Sequence, residues 1–87
     1  MFYVYVLKSG INDKLYIGFS DNLKKRIKKH NQGLVQSTKN LRSLTLIYYE
    51  AYLLKKDALI REKRLKQFAK GFASLKNRIK NSLILER

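Results

Sequence analysis

Glu62 is the first residue whose placement could carry chemistry. On a helical wheel Ala58, Leu59, Leu65 and Ala69 span an arc of about 120°, and Glu62 falls near its middle. A lone buried carboxylate is costly unless it is paired, hydrogen-bonded or bound to a metal ion. A salt bridge to a neighbouring strand or to Arg26 would satisfy it structurally. In the functional alternative Glu62 is one hard oxygen ligand for Mg²⁺ or a similar ion. A second pair lies upstream. With Leu23 at zero, Ile27 sits at about +40°, His30 at about −20° and Arg26 at about −60°, so Arg26 and His30 flank a buried stripe. Lys24, Lys25, Lys28 and Lys29 fall on the other side of that wheel. Tyr3 and Tyr5 share one face of a strand by period two, and Tyr16 and Gly18 share one face of the next. The aromatics could be cross-strand filler, but Gly18 removes a side chain and leaves room for a close approach over the sheet.

These groups sit on a chain of 87 residues, which fits one domain over residues 1–87. Hydrophobic residues at 45% suffice for a core, and a formal net charge of +14 calls for a polyanionic partner. Nucleic acid fits best, DNA ahead of RNA, with an anionic membrane surface behind it. The absence of Cys excludes disulfides, thiol nucleophiles and thiolate zinc sites, and a single His excludes multi-histidine metal sites. Met1–Leu7 has no basic segment ahead of it and no cleavage site behind it, unlike a signal peptide. The apolar run Leu44–Leu54 falls short of the ~20 residues that span a bilayer. The expectation is a soluble cytoplasmic protein, possible at the nucleoid, as a monomer or weak dimer.

The elements follow from pattern. Phe2–Lys8 and Leu15–Phe19 read as a β-hairpin around Ser9–Asp13. Ser20-Asp21-Asn22 starts a helix that runs to about His30, with Asn31-Gln32-Gly33 as its stop. A polar loop covers residues 31–43, Leu44–Tyr52 is a third strand, and Lys55–Phe68 is a helix closed near Gly71. Phe72, Leu75, Ile79 and Leu83 mark a last helix. The order β-β-α-β-α-α predicts an α+β fold with a three-stranded antiparallel sheet flanked by helices.

The spans Tyr3–Ser9, Lys14–Gly18, Arg26–Gly33, Leu46–Ala51 and Ala58–Lys63 together resemble the GIY-YIG nuclease domain, in particular its small stand-alone bacterial members. The resemblance covers essentially the whole chain. It implies that Tyr5 and Tyr16 are the two motif tyrosines, Gly18 the motif glycine, Arg26 the catalytic arginine, His30 the helix histidine and Glu62 the metal ligand. Tyr3 stands where the name-giving glycine would be. Where some members place a His or Tyr base in the loop, this chain has Ser37, Thr38 and Lys39. Leu41 and Ser43 flank Arg42 where relatives often carry a basic residue and Pro. Asn77 and Asn81 both lie where the family can place a supporting polar residue.

The implied chemistry is hydrolysis of a nucleic-acid phosphodiester with one divalent ion, Mg²⁺ or Mn²⁺, on Glu62. Arg26 clamps the phosphate, and Tyr5, with its pKa lowered by neighbouring cations, takes the proton of water, assisted by Tyr16 or His30. Lys24, Lys25, Lys28, Lys29, Lys39, Arg42, Arg61, Lys63 and Arg64 supply backbone contacts, suited to structure-selective or weakly sequence-specific cleavage. The competing reading is a non-catalytic basic DNA- or RNA-binding module.

Overall fold

The computed structural model describes residues 1–41, 43–67 and 69–84. Strands β1 (Phe2–Ser9), β2 (Leu15–Ser20) and β3 (Leu44–Tyr52) form one antiparallel sheet in the order β2-β1-β3. Helix α1 (Leu23–Asn31) covers one face. Helices α2 (Lys55–Gln67), α3 (Ala69–Arg78) and the one-turn α4 (Lys80–Leu83) cover the other. The α+β architecture expected from pattern is therefore the one observed.

Alternation in β1 sorts the two cores. Val4 and Val6 pack with Ile17, Ala58, Leu65, Leu75 and Ile79 beneath α2 and α3. Tyr5 and Leu7 point the other way and pack with Leu44, Leu23 and Ile27 beneath α1. The pairing of β1 with β3 shifts register between Val6 and Leu7, where Val6 faces Tyr48 and Leu7 faces Leu46. Ile47 is the extra residue of this β-bulge. Beyond it, Tyr48, Glu50 and Tyr52 share the face under α2.

Asn22 caps α1 by accepting from the Lys25 N–H at 3.1 Å, and Gly33 follows the helix with φ 75°. The expected polar loop is pinned from inside. Val35 and Thr38 are buried, Ser9 Oγ donates to the Leu41 carbonyl at 2.9 Å, and Asn31 brackets Leu44, accepting its N–H at 2.8 Å and donating to its carbonyl at 3.0 Å. At the other end of the chain, Lys8 Nζ donates to the Leu83 carbonyl, tying α4 to the hairpin.

Three sequence expectations change. Gly71 does not close α2. It lies within α3, where a Cβ would meet nothing. The single last helix expected from Phe72, Leu75, Ile79 and Leu83 is two: α3 starts at Ala69 and ends at Arg78, and Leu83 lies in the one-turn α4 beyond Ile79. The apolar stripe of α2 is also narrower than its wheel implied: Ala58 and Leu65 are buried, while Leu59 and Ala69 are exposed. Arg61 and Glu62 then flank the stripe at about −60° and +40° from Ala58, one towards β3 and the other towards β2. No described helix is long and apolar enough to cross a membrane.

Candidate functional site

Tyr5 sits in the central strand directly opposite Gly18. A Cβ on Gly18 would overlap the Tyr5 hydroxyl and Cζ and lie 2.8 Å from Cε2. The space that the glycine opens over the sheet is thus filled by the Tyr5 ring itself, which is 0% exposed. The Tyr5 hydroxyl lies 2.8 Å from His30 Nε2, and Arg26 Nε donates to it at 3.4 Å. His30, also 0% exposed, places Nδ1 2.6 Å from Thr38 Oγ1.

Donor chemistry assigns the protons in this chain of contacts. Arg26 can only donate, so the Tyr5 oxygen accepts from it. Of the two His30 tautomers, the one that gives the buried Tyr5 O–H an acceptor has that O–H donate to His30 Nε2. His30 Nδ1–H then donates to Thr38. Burial, with the nearby Arg26 charge, lowers the His30 pKa to about 4, which keeps the imidazole neutral. The same assignment needs a neutral phenol, and the Tyr5 pKa is raised. Burial is the largest cause, and it outweighs the hydrogen bond and charge of Arg26, while Tyr16 and Glu62 push in the direction of burial. The expected lowering of the Tyr5 pKa by neighbouring cations is therefore not met. Arg26 is raised in turn, chiefly by its hydrogen bond to Tyr5.

Tyr16 stands next to this pair and is partly exposed, with its ring 5.2 Å from that of His30 and 6.5 Å from that of Tyr5. Because β2 is an edge strand, Tyr16 is also reached from the α2 layer: Lys66 Nζ lies 6.0 Å from its ring centroid. Lys66 in turn pairs with Glu62 at 3.1 Å. Glu62 is 20% exposed, so it is a half-buried acid at the sheet edge whose partner is Lys66 and not Arg26 or a strand. The five expected catalytic residues converge around the β2 edge: Tyr5, Tyr16, Arg26 and His30 from the α1 side, Glu62 from the α2 side.

The basic residues divide. Lys25 and Lys29 line a concavity of about 190 Å³ together with Arg26, so they stand on its side of the helix and not opposite it. Lys24, Lys28, Lys39, Lys63 and Arg64 are exposed. Arg61 is engaged elsewhere, donating to both oxygens of Glu50 at 2.9 and 3.0 Å. Tyr48 and Tyr52 donate to the same carboxylate. Burial works to raise the Glu50 pKa, and the Arg61 and tyrosine hydrogen bonds outweigh it and hold the carboxyl below its usual range. Asn77 and Asn81 are both exposed, on α3 and α4. Arg42 lies outside the described residues.

Sequence reading missed Thr38 and Glu50. A polar loop gives no sign of which hydroxyl turns inward. Glu50 was visible as an acid in an apolar strand, and that signal could have singled it out.

A divalent ion can be accommodated on chemical grounds. The described residues hold no cluster of three or more His, Cys, Asp or Glu side chains. One half-buried carboxylate beside a positively charged cleft suits Mg²⁺, which commonly takes one or two protein carboxylates and completes its shell with water and substrate phosphate.

A model of the GIY-YIG catalytic domain matches residues 1–80. A UPF0213 protein of Clostridium perfringens is 38% identical over 72 residues, which is 82% of this chain and 76% of that protein. UPF0213 proteins of Staphylococcus saprophyticus and Staphylococcus haemolyticus are each 38% identical over 69 residues, 78% of this chain and 83% of their own length. No solved structure matches the chain significantly. With the sheet, the paired tyrosines and the match along nearly its whole length, the chain belongs to the GIY-YIG family, a family of endonucleases.

Proposed function

We propose that the protein hydrolyses nucleic-acid phosphodiesters, DNA in the first instance, with one Mg²⁺ or Mn²⁺ held on Glu62. The supporting observation is the convergence of Arg26, Tyr16 and Glu62 around the buried Tyr5–His30 pair, next to the exposed Lys25 and Lys29. The ion supplies polarisation of a phosphate oxygen and stabilisation of the leaving oxygen. Arg26 holds the phosphate, and its link to Tyr5 fixes its direction. Tyr16, the partly exposed phenol, orients the attacking water. The water proton passes to the Tyr5 oxygen as Tyr5 releases its own proton to His30 Nε2, which spares the buried phenol from ionising first. Because Tyr5 is 0% exposed, this transfer requires the bound substrate to open a path from the water beside Tyr16 to that oxygen. Thr38 holds the tautomer that leaves Nε2 free to accept. For Glu62 to hold an ion, its pair with Lys66 would have to open.

The experiment is a cleavage assay on single-stranded, branched and duplex DNA with Mg²⁺, Mn²⁺ or chelator. Glu62→Gln should abolish cleavage and leave binding equal or tighter. Full activity in that variant would overturn the assignment. The non-catalytic module is favoured by one observation, the Lys66–Glu62 pair, which satisfies the acid without a metal. That reading expects the parent to bind and never to cut.

A further inference from the structure

Helix α1 leaves part of its face of the sheet uncovered, at the start of β1 and the outer edge of β3. Tyr3 and Tyr49 stand there, with ring centroids 6.0 Å apart and planes at 65°. Tyr49 is 53% exposed. The two rings wall an open pocket of about 550 Å³ whose floor includes Ile27 and Leu46 and whose rim carries Lys24 and Asp21. That size is within the range of small-ligand sites.

We propose that this pocket holds one unpaired nucleobase of the strand whose phosphate lies on Arg26, so that the preferred substrate carries a single-stranded or unstacked nucleotide beside the cut. The inference rests on the nuclease reading for the identity of the strand.

Three features select a base as the occupant. The aromatic walls offer stacking to the π-face of any base, which is sequence-tolerant. Lys24 attracts the phosphate of the same nucleotide, while Asp21 repels phosphate from the interior and can accept from an exocyclic amino group. Continuity gives the third: Asp21 and Asn22 line both this pocket and the concavity that contains Arg26. A strand whose phosphates lie on Arg26, Lys25 and Lys29 needs only to turn a base across that shared rim to enter the tyrosine pocket, its phosphates staying on the basic side away from Asp21. A second copy of the chain would cover the same aromatic patch, but a formal net charge of +14 on each copy opposes that contact and favours a polyanion. A base inside a duplex is already stacked and paired, and must be extruded before it can enter.

The test is made without metal, on a single-stranded oligonucleotide carrying one 2-aminopurine and on its duplex. The parent should bind the single strand more tightly and quench the probe. Tyr49→Leu should lose the quenching and about tenfold in single-strand affinity, with duplex affinity unchanged. Tyr49→Phe should restore both, since it keeps the ring; Tyr49 is 53% exposed, enough for both variants to fold. Parent-like binding by Tyr49→Leu, or an equal loss on both substrates, overturns the proposal. So does a parent dimer that Tyr49→Leu dissociates without changing oligonucleotide binding. Tyr49-dependent quenching in a protein that never cleaves with Mg²⁺ or Mn²⁺ keeps the pocket and removes the nuclease reading. Cleavage of single strand and duplex alike, unaffected by Tyr49→Leu, removes the pocket and keeps the nuclease.

Discussion

Tyr5 and Gly18 share one volume: the phenol occupies the place where a side chain on its cross-strand partner would begin. Gly18→Ala must therefore push the Tyr5 hydroxyl off His30 or bend β2. We expect a stability loss of about 1–3 kcal/mol, the usual cost of overpacking, together with a collapse of cleavage. Thermal unfolding and turnover measured on the same preparation check this, and a fully active variant would show that the Tyr5 position is dispensable.

Deleting only the hydroxyl separates chemistry from packing. Tyr5→Phe leaves His30 Nε2 buried without its donor, a cost of about 1–2 kcal/mol, and removes the relay. Turnover should fall by orders of magnitude, whereas Tyr3→Phe should cut nearly as well as the parent. If Tyr5→Phe retains activity, Tyr16 acts without the relay.

Acid should weaken the fold in two separable stages. The folded His30 pKa, about 4, lies below its ordinary 6.5, so the unfolded chain binds more protons between those values. Stability is complete above pH 6.5 and falls as pH drops towards 4, by on the order of 2 kcal/mol once screening is allowed for. Glu50 is depressed as well, and its contribution is lost only below the ordinary carboxylate value of 4.5. Urea titrations should show the first stage in the parent and none of it in His30→Gln.

The Glu50–Arg61 pair is expected to act as a support for α2. Arg61→Ala leaves a largely buried carboxylate with only tyrosine donors, costing about 2 kcal/mol or more. Because Glu62 is the next residue on the helix, turnover should fall while nucleic-acid affinity changes little. A variant that instead lost affinity and kept its stability would place Arg61 on the nucleic acid.

Arg26→Lys keeps a positive charge and loses the planar fork and the Nε contact to Tyr5. Turnover should drop about a hundredfold or more, in the range seen for loss of one transition-state donor. Lys28→Ala, on the far side of α1, should weaken binding modestly and reduce its salt slope by about one. Equal small effects in both would make Arg26 part of the general basic surface.

Much of this was legible in the chain itself. The hairpin, the Asn22 cap, α1 and β3 are local signals, and each reads close to its observed bounds, whereas the stripe of α2 is narrower than its wheel and the C-terminal stripe spans two helices. The residues around Tyr5 were legible because Arg26 and His30 sit one turn apart beside an apolar stripe. Partnerships across the fold were not. Nothing local says that Glu62 meets Lys66 while Glu50 takes Arg61, since both acids lie in apolar settings and only the packing angle of α2 decides between them. Thr38 was hidden for a similar reason: its burial depends on the loop being drawn inward by Val35, Ser9 and Asn31. The Tyr5 pKa was misjudged because nearby cations are visible in sequence, whereas complete burial is not.

The β-bulge at Ile47 works as a parity switch. Before it, even-numbered residues of β3 look towards α1, as Leu44 and Leu46 do; after it, even-numbered residues look towards α2, as Tyr48, Glu50 and Tyr52 do. Removing that single residue would leave hydrophobicity and strand propensity almost untouched. One half of β3 would nevertheless have to turn over: either Leu44 and Leu46 leave the α1 core, or Glu50 swings away from Arg61 and Tyr49 abandons its pocket. In this family, then, the count of residues in the third strand is expected to be held more strictly than their identity.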